Sequence, residues 1–316
     1  MSEVRHEAGR SAFMRKWEKF VRGERLRLNL MMLPGVVFVF LFNMMTLLGI
    51  AVAFQDFIPR RGWFGSEWVG LRNFRLFFEM PNAYTILRNT LVIAISKIVL
   101  TLIVAVLFAL LLSEIKNNKV KRCVQTAVYL PHFVSWVIYA TIMRLLLNSD
   151  GLVNRLLTGL GLAASPVKFL SSKQLFPVVM IMTDVLKEFG YSSVIYLATI
   201  TGINPSYYEA AAIDGATRPK MMWYITLPCL LPTIVLLATL SVGNVLSAGF
   251  DQIFNLYNSA VYETGDIIDT YVHRVGLVSL DYGLGAAIGL FKSVVSFVLI
   301  VTSYTVAAKV ADYHIF

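Results

Sequence analysis

Six apolar runs divide the chain, at residues 30–54, 90–112, 126–147, 175–200, 229–250 and 282–308. Each is close to the roughly 20 residues a helix needs to cross the hydrocarbon core of a bilayer. The pattern predicts an all-α membrane protein with six spans. One polar, patterned stretch interrupts it between the fourth and fifth runs, at residues 207–232 (YYEAAAIDGATRPKMMWYITLPCLLP). Ser206 and Glu209 have the spacing of a capping box, with Pro205 just before them. A short helix is expected there, carrying Ala210, Ala211 and Ala212. Asp214-Gly215 is a turn signal in which glycine is free to take the left-handed conformation. Thr217 then reads as a second N-cap with Pro219 in the following turn, and Leu227-Pro228 as a bend into the next apolar run. The prediction is helix, tight turn, helix. A helix of about two turns is marginal in water, so Ile213, Met221, Met222, Trp223 and Ile225 are expected to supply a docking surface.

Composition agrees with a membrane protein: 57% of residues are hydrophobic, 15% are charged, and the mean hydropathy is +0.67. Soluble domains carry about 25% charged residues. The net charge of +9 does not require a nucleic-acid partner, because a multi-spanning protein collects Lys and Arg in its cytoplasmic loops. Eight basic residues precede the first run, four (Lys116, Lys119, Lys121, Arg122) follow the second, and Arg218 and Lys220 follow the fourth. That distribution puts both termini in the cytoplasm. Residues 1–29 are expected as a basic cytoplasmic or interfacial segment. Phe13, Trp17, Phe20 and Val21 share one helical face there, and the alternative is a disordered basic tail. The segment is too long and too charged for the start of a signal peptide. Residues 30–308 form the membrane domain and 309–316 a cytoplasmic tail. Cys123 and Cys229 lack metal-ligand spacing and fall near the cytoplasmic side, where thiols stay reduced.

Nothing in the chain reads as a catalyst. No phosphate-binding loop occurs, and Gly289-Leu290-Phe291-Lys292-Ser293 lacks the glycines and the strand of one. The four histidines form no metal-ligand cluster. Polar residues inside the spans carry more information, because they are costly in lipid and face the bundle interior or a cavity. Asn43, Lys97, His132, Arg144, Asp184, Lys187, Asn244 and Lys292 are the candidates for a substrate path, with Glu188 beside them. Asp184, Lys187 and Glu188 have the spacing to pair with one another, a purely structural use, whereas Lys97, Arg144 and Lys292 have no partner nearby in sequence. Snorkelling to the interface is the other use of such side chains. Cations facing a cavity would suit an acidic saccharide.

The stretch Glu209-Ala210-Ala211, Asp214-Gly215-Ala216, Ile225-Thr226-Leu227-Pro228 resembles the EAA loop of binding-protein-dependent ABC importers. Further segments are similar to the sugar permeases of that class, in the branch that handles uronate-rich alginate and pectin fragments. They are Val69-Gly70-Leu71-Arg72-Asn73-Phe74, Tyr129 to Trp136, Asp269-Thr270-Tyr271-Val272, Arg274-Val275-Gly276-Leu277 and Gly289 to Ser293. The resemblance implies the type I importer arrangement in a bacterial inner membrane. It implies a second homologous permease, two ATPase subunits holding ATP and Mg, and a solute-binding protein outside. An oligosaccharide would be the cargo, and this chain would have no cofactor of its own. The loop at 201–228 would dock on an ATPase through Glu209, Ala210, Ala211, Ala212, Asp214, Gly215, Ala216, Leu227 and Pro228. The rival readings are a secondary transporter driven by an ion gradient, for which inverted repeats are expected and none is evident, and a non-transporting membrane scaffold.

Overall fold

The computed structural model describes residues 24–243 and 245–310; the amino-terminal helix expected around Phe13–Phe20, the candidate Asn244 and the tail beyond 310 lie outside them. The first span begins as α1 (Glu24–Val39), widens through a π turn (Phe40–Met44) and tightens into a 3-10 helix (Met45–Phe54). Thr46 takes up two carbonyls along this irregular winding, donating to Phe42 and Asn43 at 3.0 and 2.7 Å. A ribbon of β1 (Gln55–Asp56) against β2 (Glu67–Trp68) then closes a loop around α2 (Gly62–Gly65). α3 (Arg72–Glu79) follows, held by Asn73, whose amide donates to the Ala53 and Gln55 carbonyls at 3.0 Å each. The conspicuous Val-Gly-Leu-Arg-Asn-Phe motif therefore ties off the end of the first span.

The second span is α4 (Ala83–Ser113), and α5 (Asn118–Phe133), α6 (Trp136–Leu147) and α7 (Leu152–Gly159) come next. α8 (Leu175–Thr201) leads to a hairpin of α9 (Pro205–Ile213) and α10 (Arg218–Met221). A π turn (Met222–Thr226) runs into α11 (Leu227–Val242). Three short helices, α12 (Phe250–Leu256), α13 (Tyr262–Gly265) and α14 (Ile268–Val272), precede the final span α15 (Tyr282–Val310). Four stretches are long and apolar enough to cross a membrane alone: Leu28–Phe54, Ala83–Ser113, Arg218–Val242 and Tyr282–Thr305. The bent pair Asn118–Phe133 and Trp136–Gly159 makes a fifth. α8, 27 residues long, covers the fourth apolar run and is set apart from these stretches by its charges Asp184, Lys187 and Glu188.

Three expectations are corrected. The third span is not straight: its halves meet at 104°. Pro131 removes a backbone donor from the last turn of α5, and Ser135 restarts the helix as N-cap, its hydroxyl accepting from the Ile138 N–H at 3.4 Å. The fifth span begins at Arg218 and ends at Val242, with no bend at Leu227-Pro228. There the Leu227 N–H reaches back to the Met222 carbonyl, and this wider winding makes room for the proline ring. The cap of α9 is Asn204, which accepts from the Ser206 N–H at 3.0 Å, rather than a Ser206–Glu209 box. Pro205 takes the first helical position, where its missing N–H costs nothing.

Loops assigned to one side by their basic residues do meet at one end. Arg218 pairs with Glu114 at 2.9 Å, joining the cytoplasmic hairpin to the end of α4. At the opposite end Lys173 pairs with Glu263 at 2.5 Å, and Asn258 donates to the Leu170 carbonyl at 2.8 Å. Residues 251–281 separate the fifth and sixth apolar runs and with six spans are expected as a loop on the side opposite the termini, yet they insert into the bundle: Gln252, Ile253, Leu256, Val261, Ile267, Ile268 and Thr270 are buried. Irregular backbone at that depth must be satisfied by protein. Asn89 supplies bonds to the Glu263 and Asp266 carbonyls, and the Thr90 hydroxyl accepts from the Ile268 N–H at 2.9 Å. The apolar core falls into two clusters along α4. One, with Ile86, Ile93, Phe176, Met180, Ile253 and Ile268, lies toward the outside. The other, with Ala105, Ala109, Tyr196 and Leu230, lies toward the cytoplasm.

Candidate functional site

Between those clusters the bundle is polar. Lys97 sits near the middle of α4, about 21 Å along the helix from its start at 1.5 Å per residue. Its ammonium donates to the Ala248 carbonyl at 2.7 Å and to the Gln252 side chain, and lies 3.3 Å from the Asp184 carboxylate. Gln252 in turn donates to the Met180 carbonyl and the Thr183 hydroxyl, both at 2.7 Å. The Tyr139 hydroxyl donates to the Thr183 carbonyl at 3.1 Å. One network thus links α4, α6, α8 and α12. A cavity of about 450 Å³ opens beside it, lined by Lys97, Asp184, Glu188, Tyr191, Ser192 and Ser241 among others.

A second polar group holds the break in the third span. The buried Lys187 ammonium donates to the His132 carbonyl at 2.7 Å, filling an acceptor that the end of α5 leaves open. It also pairs with Glu188 at 3.2 Å and lies 5.0 Å from the Trp136 ring. Glu188 meets His132 Nδ1 at 2.6 Å, and the His132 ring stacks on Tyr191 at 3.9 Å. α5 and α8 approach closely because Gly190 faces the Val128 carbonyl without a side chain.

The structure therefore gathers Lys97, His132, Asp184 and Lys187 of the expected path residues. Asn43 is exposed on the first span, Arg144 is exposed in the last turn of α6, and Lys292 pairs with Asp269 at 2.5 Å. The expected local pairing of Asp184 with Lys187 does not form; Asp184 turns to Lys97 instead. Lys97 and Lys292 both have carboxylate partners distant in sequence. Lys187 is matched by the adjacent Glu188, so these three lysines do not present a cationic wall to an acidic cargo. Gln252, Thr183 and Tyr191 escaped the sequence reading. Gln252 carried a signal, since Ile253 and Leu256 flank it at helical spacing in a stretch taken for a loop.

At the cytoplasmic end, α9 and α10 form the expected hairpin. Gly215 has φ +77°, the left-handed turn conformation, and a Cβ added there would meet nothing within 4 Å. Along α9 only Tyr208 and Ala211 are half-buried; Ile213 is 88% exposed, and beyond the turn Trp223 is 62% exposed. The hairpin offers an unpartnered face, and it hangs from the bundle by few contacts.

Residues 101–311 match the family described as "Binding-protein-dependent transport system inner membrane component". The chain belongs to this family. It is a multi-pass permease subunit of the inner membrane, and the secondary-transporter and scaffold readings fall. The permease is 39% identical over 290 residues to the polygalacturonan/rhamnogalacturonan transport system permease protein YteP of Bacillus subtilis, covering 92% of this chain and 90% of that one. It is similar to a bacterial ABC transporter involved in the import of the acidic polysaccharide alginate, with TM-score 0.85 and 34% identity over 94% of this chain and 99% of that one. The structure of a bacterial alginate ABC transporter in complex with alginate pentasaccharide-bound periplasmic protein matches with TM-score 0.83 and 34% identity, over 93% and 97% of the two chains. The permease thus has the all-α, type I importer arrangement.

Proposed function

We propose that this permease forms part of the membrane path of an ATP-driven importer for uronate-containing oligosaccharides. A periplasmic binding protein delivers the saccharide. A second, homologous permease completes the path, and two ATPase subunits, which hold the ATP and Mg, drive it. This chain carries no catalytic group. The observation behind the reading is the exposed α9–Gly215–α10 hairpin at the cytoplasmic end, which has the form of a docking lever. Glu209, Ala210, Ala211, Ala212, Asp214, Gly215 and Ala216 form the docked part, and Leu227 and Pro228 the junction to the fifth span. Residues 30–308 act as one membrane domain, with the basic segment before it and the short tail after it on the cytoplasmic side.

The uronate assignment rests on the relatives, which handle polygalacturonan and alginate. The paired lysines of the bundle lend it no weight. The saccharide path is proposed to pass the cavity bounded by Lys97, Asp184, Glu188 and Tyr191. His132 and Lys187 shape its wall from behind, and Asn43, Arg144 and Lys292 lie off it.

The test is ATP hydrolysis by the reconstituted complex, with binding protein loaded with oligogalacturonate, alginate fragments or neutral maltodextrin. Stimulation by the acidic saccharides alone is expected. Stimulation by maltodextrin refutes the uronate assignment and leaves the importer. Two substitutions test the lever. Gly215→Val places a β-branched residue in the left-handed region at a cost of roughly 1–2 kcal/mol, with open space around its Cβ. Glu209→Ala removes an exposed carboxylate from the docking face. Each is expected to reduce transport at least about tenfold, equivalent to roughly 1.4 kcal/mol of lost docking. Wild-type transport and ATPase binding in both variants would remove the hairpin from the mechanism.

A further inference from the structure

A lever transmits displacement only if it cannot pivot about its own ends. α9 is a nine-residue helix joined to α8 through Gly202 and Ile203 and to α10 through the Asp214-Gly215 turn. Both junctions are short loops with a glycine, so a push on α9 is dissipated as rotation unless a side chain holds it. Of its half-buried residues, Ala211 offers no polar atom. Tyr208 does: its hydroxyl lies 2.9 Å from the Thr226 hydroxyl. Thr226 is 5% exposed and ends the π turn that opens the fifth span just before Pro228. The other tie of the hairpin, Arg218 to Glu114, is an exposed ion pair, and such pairs contribute little.

We infer that Tyr208 and Thr226 are positioning residues that lock α9 to the fifth span, so that displacement of the lever is passed to the helix lining the path. This rests on the docking role proposed for the hairpin. A helix with one extra residue in its turn has a loosened winding at that point. The Tyr208 hydroxyl therefore reaches the fifth span where its pitch yields most readily.

Tyr208→Phe and Thr226→Val each remove one hydroxyl and keep the shape, and Thr226→Ser keeps the hydroxyl. Each variant is purified with its partner permease and ATPase subunits and placed in vesicles with loaded binding protein. Three quantities are measured: ATPase co-purified, basal ATP hydrolysis, and saccharide transported per ATP. The first two are expected to stay at wild-type values. Saccharide per ATP is expected to fall about fivefold, the order for one lost hydrogen bond, in Tyr208→Phe and in Thr226→Val but not in Thr226→Ser. The double variant should be no worse than the weaker single one, because both remove the same interaction. An unchanged ratio in both single variants, or losses that add in the double variant, overturns the link. Loss of co-purification confined to the variants overturns it as well, since the hydroxyls would then serve docking. Failure of the unsubstituted permease to retain an ATPase overturns the docking role itself.

Discussion

Asp184→Asn is expected to destabilise the membrane bundle by about 3–5 kcal/mol, the range for removing one partner from a buried ion pair. Lys97 and Asp184 side chains are 7% and 19% exposed. The substitution keeps the shape and leaves the ammonium facing the Ala248 carbonyl and Gln252 without its paired carboxylate. Lys97→Met with Asp184→Leu is expected to recover most of the loss, because it removes both charges and their desolvation together. Unfolding of the purified permease in mixed detergent micelles, followed by near-ultraviolet circular dichroism, measures both. Equal midpoints for the single and double variants would show that the pair is not what holds α4 to α8. The exposed Lys173–Glu263 pair is the contrast. There the lysine holds the Glu263 carboxyl below its ordinary range through a direct hydrogen bond, yet both side chains lie open to water, at 57% and 67% exposure. Glu263→Gln is expected to leave the midpoint unmoved.

Gly190→Val is expected to be nearly as severe. A Cβ at Gly190 overlaps the Val128 carbonyl of α5, and a backbone atom cannot swing aside as a flexible side chain does. α5 and α8 must separate, at a cost of about 3 kcal/mol, the upper part of the usual range for overpacking. Separation also carries the His132 carbonyl away from Lys187, so the break in the third span loses its latch. Folded yield and transport should fall together. Gly289→Ala is the control, since nothing lies within 4 Å of a Cβ there. Wild-type behaviour of Gly190→Val would mean that the α5–α8 contact opens without consequence.

Much of the architecture was legible along the chain. Hydropathy marked the six spans, and the Lys and Arg distribution sorted the loops into the two groups that meet at opposite ends. Gly215 and Thr217 announced the hairpin turn and the second helix, and Glu209 to Pro228 pointed to the family. The errors have local causes. A capping box at Ser206 lost to an Asn204 cap, because proline favours the first helical position. The bend expected at Pro228 was absorbed by a π turn, whose formation no pattern of single residues signals. Residues 251–281 looked polar enough for a loop, yet Asn89 and Thr90 satisfy that backbone inside the bundle.

The candidate site divides along the same line. The sequence by itself determined a multi-spanning helical protein with a hairpin on its basic side, because hydropathy, charge bias and turn chemistry are properties of consecutive residues; that it is a permease was implied by the resemblance of the Glu209–Pro228 motif. Only the tertiary structure decided which polar residues meet. Lys97 and Gln252 are 155 positions apart, and His132 and Glu188 are 56 apart. Their pairing follows from how α4, α5, α8 and α12 pack, and charge placed in a low-dielectric interior must find its partner wherever packing brings one.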